Sequence, residues 1–286
     1  MATRFIVVPQ WQGSGSARAM RLADGATAIA GDLPVSSTTR LELRAEAGEE
    51  LGTGVKRASA LIATHAQTTE ALRTAWASDP DALRIVVGGD CGVDVAGIQF
   101  AVRSAAQGQA GPVALVWFDA HGDLNTPESS PSGIFEGMAL RAALGEGLEG
   151  LADPEAAVRP AHAVLAGARD LDDPEVAYLA ESGVTLVEPD RVSPASVADA
   201  VAATGATSVY LHIDLDVLDP GAFESVGTPE PFGIEVQTLA ETILELRSRF
   251  ALAGAGVTGF APASDDDVAN DMPVILRIIG ALTRTL

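Results

Sequence analysis

Two short runs carry the residue types from which a metal site is built: Asp119-Ala120-His121-Gly122-Asp123, and Asp214-Leu215-Asp216-Val217-Leu218-Asp219-Pro220. Asp119, His121 and Asp123 alternate in the first run, and Asp214 and Asp216 do so in the second. On an extended strand such residues share one face, and on a loop they can still converge. Each run follows an apolar, β-rich segment, at residues 113–118 and 208–213. Four carboxylates (Asp119, Asp123, Asp214 and Asp216) buried together without counter-charge would cost many kcal/mol or be driven to hold their protons. A divalent cation, or a pair of them, removes that penalty. Oxygen donors with one imidazole suit Mn²⁺ better than they suit structural Zn²⁺, which favours thiolate and imidazole. Two cations sharing bridging carboxylates lower the pKa of a water between them and supply hydroxide near neutral pH. One such motif alone reads as a capping or loop residue; two, both at the ends of central strands, point to a metal centre.

The elements that position these runs follow from apolar patterning. Strands are expected at 5–8, 83–87, 113–118, 163–166, 185–187, 208–213 and 255–260. Helices are expected between them at 55–77, 93–107, 137–144, 174–181, 194–204, 235–250 and 272–285. Strands apolar on both faces and separated by helices imply a parallel sheet covered on both sides. Ligands bind beyond the carboxyl ends of strands in such a sheet, where Gly88-Gly89-Asp90-Cys91 and the two acidic runs lie. With no internal repeat and no Pro-, Gly- or Ser-rich linker, residues 1–286 are expected to form a single domain.

Composition narrows the function classes. Hydrophobic residues make up 47% and charged residues 20%, as in ordinary globular chains rather than disordered ones. Acidic residues outnumber basic ones 39 to 18, a net charge of −21 that repels nucleic acid and anionic membranes and mildly favours cationic ligands. No apolar run is long enough to span a bilayer. The apolar stretch near the start is about four residues, below the roughly 7–15 of a secretory signal, so a cytoplasmic location is expected. The one cysteine, Cys91, gives no internal disulfide and fits a reducing compartment. No Gly-x-Ser-x-Gly elbow is present, and Gly13-Ser14-Gly15-Ser16 lacks the lysine of a phosphate loop.

The runs at 88–91, 119–123 and 214–220 resemble, in order and spacing over nearly the whole chain, three signatures of the ureohydrolases, the family of arginases and agmatinases. The resemblance implies a three-layer α/β/α sandwich around a parallel sheet, a manganese-dependent amidinohydrolase acting on linear amidines, two Mn²⁺ sites, and a homo-oligomer (trimer or hexamer). It also implies roles. Asp119 and Asp214 bridge the metals, His121 and Asp216 complete one site, and Asp123 with Cys91 belongs to the other. Asp123 can in addition hydrogen-bond the hydroxide. Asn125 and Ser132 resemble the loop that holds an amino acid's α-carboxylate, Asp172 and Glu175 the segment that holds its α-amino group, and Thr228 the Gly-Thr-Pro turn lining the pocket. Such donors and acceptors suit an arginine-like small molecule.

Three positions depart from the family pattern. Cys91 stands where histidine is usual; it reads either as a soft thiolate ligand or as a small buried hydrophobe beside a vacant site. Glu136 stands where arginases carry a proton-shuttling histidine; it reads as a general acid with a raised pKa, as a group orienting a guanidinium, or as a solvated helix-start residue. Gly259 stands near the place of a guanidinium-clamping glutamate, and the acidic run Asp265–Asp267 is expected to be a solvated turn. His212 is expected to point away from the metal ligands in a core or supporting role. The combined expectation is a hydrolase of a guanidino or related C–N bond, acting through metal-activated hydroxide. The substrate can be a hydroxyguanidino or formimino compound. The alternative is a catalytically weak relative that binds metal or amino acid for a structural or regulatory end. On this mapping, Glu136→His, Gly259→Glu and Cys91→His together are expected to raise arginase activity.

Overall fold

The computed structural model describes residues 2–108 and 111–285. Eight strands form one sheet: β1 (Thr3–Val8), β2 (Thr38–Arg40), β3 (Leu83–Gly88), β4 (Val113–Phe118), β5 (Ala163–Ala166), β6 (Thr185–Val187), β7 (Ser208–Asp214) and β8 (Ala251–Thr258). They run in the order β2-β1-β3-β8-β7-β4-β5-β6, and every pairing is parallel. Parallel strands need crossover connections, and helices supply most of them. Helices α1 (Met20–Asp32), α6 (Pro194–Ala203), α7 (Val236–Arg249) and α8 (Asp265–Thr283) cover one face. The other face is covered by α2 (Ala58–Ser78), α3 (Asp94–Gln107), α4 (Ala139–Ala143) and α5 (Asp173–Ser182). The result is the expected three-layer α/β/α sandwich.

Burial explains the central strands. All residues of β4 and β7 are buried. Val116 and Phe118 pack toward the α6–α7–α8 face, whereas Leu115 and Trp117 pack toward α3 and α4. In β7, Leu211 and Ile213 go to the first face and Tyr210 to the second. Trp117 pairs with His212 and Phe118 with Ile213. This register sets Asp119 beside Asp214 at the carboxyl end of the sheet, both on the α3 side.

Several expected boundaries move. α1 and β2 were not expected: α1 is rich in Ala and Gly, and β2 is a three-residue edge strand with partly exposed polar side chains. β8 starts at Ala251, earlier than its weak Ala/Gly pattern indicates, and stops at Thr258 because Gly259 turns with φ +89°. α2 starts at Ala58, after Arg57 takes a left-handed conformation. Asp265–Asp267 form no turn of their own. They are the first turn of α8, where Ser264 caps the helix and acidic side chains favour the positive end of its dipole. Among the described residues no helix is long and apolar enough to cross a membrane.

Candidate metal centre

The carboxyl ends of β3, β4, β7 and β8 open into a cavity of about 430 Å³. Its lining includes Cys91, Asp119, His121, Asp123, Asn125, Ser132, Glu136, Asp172, Glu175, Asp214, Asp216, Thr228 and Gly259. Every site residue expected from the sequence therefore faces one space.

Two clusters form its floor. Ligand atoms of Asp119, His121 and Asp216 lie within 4.8 Å of one another. His121 Nδ1 is 3.0 Å from Asp216 Oδ2 and 3.4 Å from Asp119 Oδ1. Ligand atoms of Cys91, Asp119, Asp214 and His212 form the second cluster, also within 4.8 Å. There the Cys91 thiol donates to Asp214 Oδ2 at 2.8 Å, and the Thr258 hydroxyl donates to the same oxygen at 3.1 Å. Trp117 Nε1 donates to Asp119 Oδ2 at 3.0 Å.

The loops are built to hold these groups. The Asp119 carboxylate accepts from the His121 amide at 2.7 Å and that of Asp216 from the Ala120 amide at 3.0 Å, while Asp214 accepts from the Asp216 amide at 2.9 Å. Asp123 takes φ +54°, a left-handed conformation that costs a non-glycine residue about 1–2 kcal/mol. It is buried, and its Oδ2 has no partner among the described residues. Strain joined to an unpaired buried oxygen marks a group held for something else to bind.

Electrostatics agree. Burial first, then the Asp216 charge, pushes the Asp214 carboxyl up to about 6. Burial and the Asp119 charge raise both Asp123 and Asp216. Burial followed by Asp214 and Asp119 lifts the Cys91 thiol well above its usual range. Burial would lower His121, but hydrogen bonds and charge from Asp119 and Asp216 outweigh it and raise it. The acidic groups resist ionising together, which is the condition a divalent cation relieves. The unpaired Asp123 oxygen, the strand-end carboxylates and the adjacent imidazoles and thiol fit such an ion.

Around the floor, Glu136 is partly buried and is pushed up to about 8 by burial and then by the charges of Asp90 and Asp214. It is therefore not the freely solvated helix-start residue that was one expectation. Asn125 Nδ2 donates to Asp172 Oδ2 at 2.8 Å, and Asn125 Oδ1 accepts from Ser129 at 2.8 Å. Glu175 is 4% exposed, and its carboxylate accepts from the Leu124 amide at 2.9 Å and the Asp172 amide at 2.8 Å. It closes the capping box of α5 and pins the Asp123 loop. Ser132 and Thr228 are exposed at the rim. The Asp267 carboxylate accepts from the Ala263 amide at 2.9 Å, and none of Asp265–Asp267 lines the cavity.

Sequence reasoning missed three contributors and misplaced a fourth. Asp90 anchors the loop after β1, accepting from Gln10 Nε2 at 2.8 Å and the Gly13 amide at 2.9 Å. Arg169 clamps the loop after β7 by donating to the carbonyls of Asp216 and Glu230, both at 2.8 Å. Lys56 lines the rim. His212 was misplaced: residues two apart on a strand share a face, so it lies on the side of Asp214 and faces the centre. That alternation was readable from Leu211-His212-Ile213-Asp214 alone.

Comparison with known proteins gives a consistent picture. The Arginase family model matches residues 10–281. The N(omega)-hydroxy-L-arginine amidinohydrolase of Streptomyces lavendulae is 30% identical over 220 residues, 77% of this chain and 74% of that protein. The arginase of Bacillus subtilis (strain 168) is 42% identical over 130 residues, a match spanning 43% of this chain and 44% of the relative. In structure, the Entamoeba histolytica arginase solved with L-ornithine superposes with a TM-score of 0.84 at 22% identity, covering 100% of both chains. The chain belongs to the arginase family, the ureohydrolases.

Proposed function

We propose that the protein hydrolyses a guanidino or related C–N bond in an arginine-like small molecule, at a site holding two divalent cations. The observation that supports this most directly is the convergence of Asp119, His121, Asp214 and Asp216, with the unpaired Asp123 Oδ2, at the floor of one cavity. In this reading Asp119, His121, Asp214 and Asp216 hold the oxygen-rich site, suited to Mn²⁺. Asp123 and Cys91 contribute to the other. Bound cations supply an activated water and positive charge against which a developing negative charge is stabilised.

The remaining work falls to side chains of this chain. Asp123 Oδ2 accepts a hydrogen bond from the attacking water. Glu136, whose carboxyl in the metal-free protein is raised to about 8 first by burial, is placed to pass a proton to the departing amine. Ser132 and the second Asn125 Nδ2 hydrogen donate to the substrate's carboxylate, with Lys56 adding charge; Asp172 attracts its ammonium group. Thr228 lines the wall, and Glu175 holds the Asp123 loop in place. The same proposal takes residues 1–286 as one domain and the working assembly as a homotrimer or hexamer.

A second reading is favoured by Gly259. It supplies no acceptor for a guanidinium, and a Cβ there would lie 2.2 Å from Asp214 Oδ1. A relative with weak or no turnover, binding metal or amino acid for another end, would tolerate that. The experiment measures urea or ammonia release from arginine, hydroxyguanidino and formimino amino acids after Mn²⁺ loading, beside an Asp119→Asn, Asp214→Asn double variant. Turnover of one compound, lost in the variant, is expected. A fully loaded protein inert toward the whole panel would refute the proposal in favour of the second reading.

A further inference from the structure

One nitrogen buried beneath the cavity has no partner among the described residues. The His212 ring is 0% exposed and stacks on Trp117 with centroids 3.5 Å apart. Its Nδ1 lies 2.8 Å from Asp94 Oδ2, and its Nε2 has no hydrogen bond. Asp94, at the start of α3, also accepts from the Tyr210 hydroxyl, and its carboxylate fills the space over Gly256, where a Cβ would lie 2.0 Å from Oδ2. Held on several sides, Asp94 fixes the ring and places a proton on Nδ1. That leaves Nε2 as a buried polar atom aimed away from Asp94, and a buried polar atom without a partner is costly. With Nδ1 engaged by Asp94, Nε2 is the nitrogen left for a ligand, and a ring nitrogen of His212 lies within 4.8 Å of ligand atoms of Cys91, Asp119 and Asp214.

We propose that His212 Nε2 ligates a divalent cation together with Cys91 Sγ, Asp119 and Asp214, and that this site selects a borderline-soft ion such as Zn²⁺ or Co²⁺ over Mn²⁺. The assignment rests on the metal-centre reading above and changes its donor set: an imidazole rising from β7 stands in for the histidine missing at position 91. One thiolate, one imidazole and two carboxylates make a softer, tetrahedral-capable set than the neighbouring Asp119, His121 and Asp216. A carboxylate behind a ligating histidine, as Asp94 stands behind His212, is the arrangement that orients such ligands. On binding, the Cys91 thiol gives up to solvent the proton it now shares with Asp214. The two halves of the centre are then chemically unlike, one soft and one hard.

The deciding measurement is zinc X-ray absorption on the full chain loaded with Zn²⁺, in the wild type and in His121→Ala, where His212 is the only imidazole within reach. The expected first shell contains sulfur, with imidazole outer-shell scattering that persists in His121→Ala. Co²⁺ loading is expected to give a thiolate charge-transfer band that Cys91→Ser abolishes. His212→Gln is expected to weaken Zn²⁺ binding at least tenfold while Mn²⁺ bound through His121 keeps its electron paramagnetic resonance signal. Sulfur without imidazole in His121→Ala, a sulfur-free shell, or failure to retain Zn²⁺ overturns the assignment. The first two readings need no His212 variant, so its misfolding would not rescue the idea. Zn²⁺ held through both donors in a protein inert toward every guanidino compound would leave this site standing and sink the proposed activity. Turnover with neither donor on the metal would do the reverse.

Discussion

Raising the pH should destabilise the metal-free protein, and Mn²⁺ should reverse most of the loss. Asp90 and Asp214 titrate near 6 and Glu136 near 8, each raised first by burial and then by neighbouring carboxylates. In an unfolded chain the same groups titrate near 3.9 for Asp and 4.3 for Glu. The folded state therefore binds these protons more tightly. Their contribution is complete below about pH 4 and is lost as the pH climbs through 6 and then 8. A shift of about two units for Asp214 corresponds to an order of 3 kcal/mol. At roughly 2–4 °C per kcal/mol, that is a fall in Tm of about 6–12 °C for this group alone. Asp90 and Glu136 act in the same direction, though less than additively because their charges interact. The assay is a thermal melt in chelator at pH 5 and pH 8, with and without Mn²⁺. The expected pattern is a lower Tm at pH 8, a larger Mn²⁺ gain at pH 8 than at pH 5, and a shallower pH slope in Asp214→Asn. That variant separates the pocket from general surface repulsion. A Tm independent of pH, or an equal Mn²⁺ gain at both values, would refute the reasoning.

Gly259→Glu should lower metal retention and cost about 1–3 kcal/mol, because φ is +89° and the new Cβ collides with Asp214. Elemental analysis and a melt test this, and the triple replacement expected to raise arginase activity should therefore fail at this position. Arg169→Lys should destabilise almost as much as Arg169→Ala, since a lysine cannot span the carbonyls of Asp216, Glu230 and Pro231; near-full recovery of Tm in the lysine variant would argue against the clamp. Ser132→Ala should raise KM about tenfold with kcat little changed, as expected for a contact made equally in ground and transition states. Steady-state kinetics decide.

The sheet was legible because its central strands are apolar on both faces, so β4, β5 and β7 could be placed within a residue. α1 and β2 were not, because Ala- and Gly-rich or short polar segments carry little periodic signal and take their structure from tertiary packing. The floor of the site was legible for a related reason: acidic residues directly after buried strands need an explanation that solvent cannot provide. Asp90, Asp94 and Arg169 were hidden, since each acts through a contact whose partner lies far along the chain, such as Gly13 for Asp90 and Tyr210 for Asp94. Glu136 was visible as a departure, but its buried setting came from the fold.

Two of the departures from an arginase mapping, Gly259 and Glu136, are opposite changes in the lining of one cavity. One leaves the end of β8 without a carboxylate, and the other adds one where the resemblance implies a histidine. On the proposed function Glu136 faces the substrate, and its carboxyl, raised in the metal-free protein to about 8 first by burial, can donate as well as accept. Such a group pairs poorly with a fully charged guanidinium but well with a less basic hydroxyguanidino or formimino nitrogen, to which it can donate. Preference should therefore follow substrate basicity: kcat/KM for the hydroxyguanidino compound should exceed that for arginine near pH 7. Glu136→Gln, which cannot ionise, should leave the order unchanged if donation matters and reverse nothing in favour of arginine.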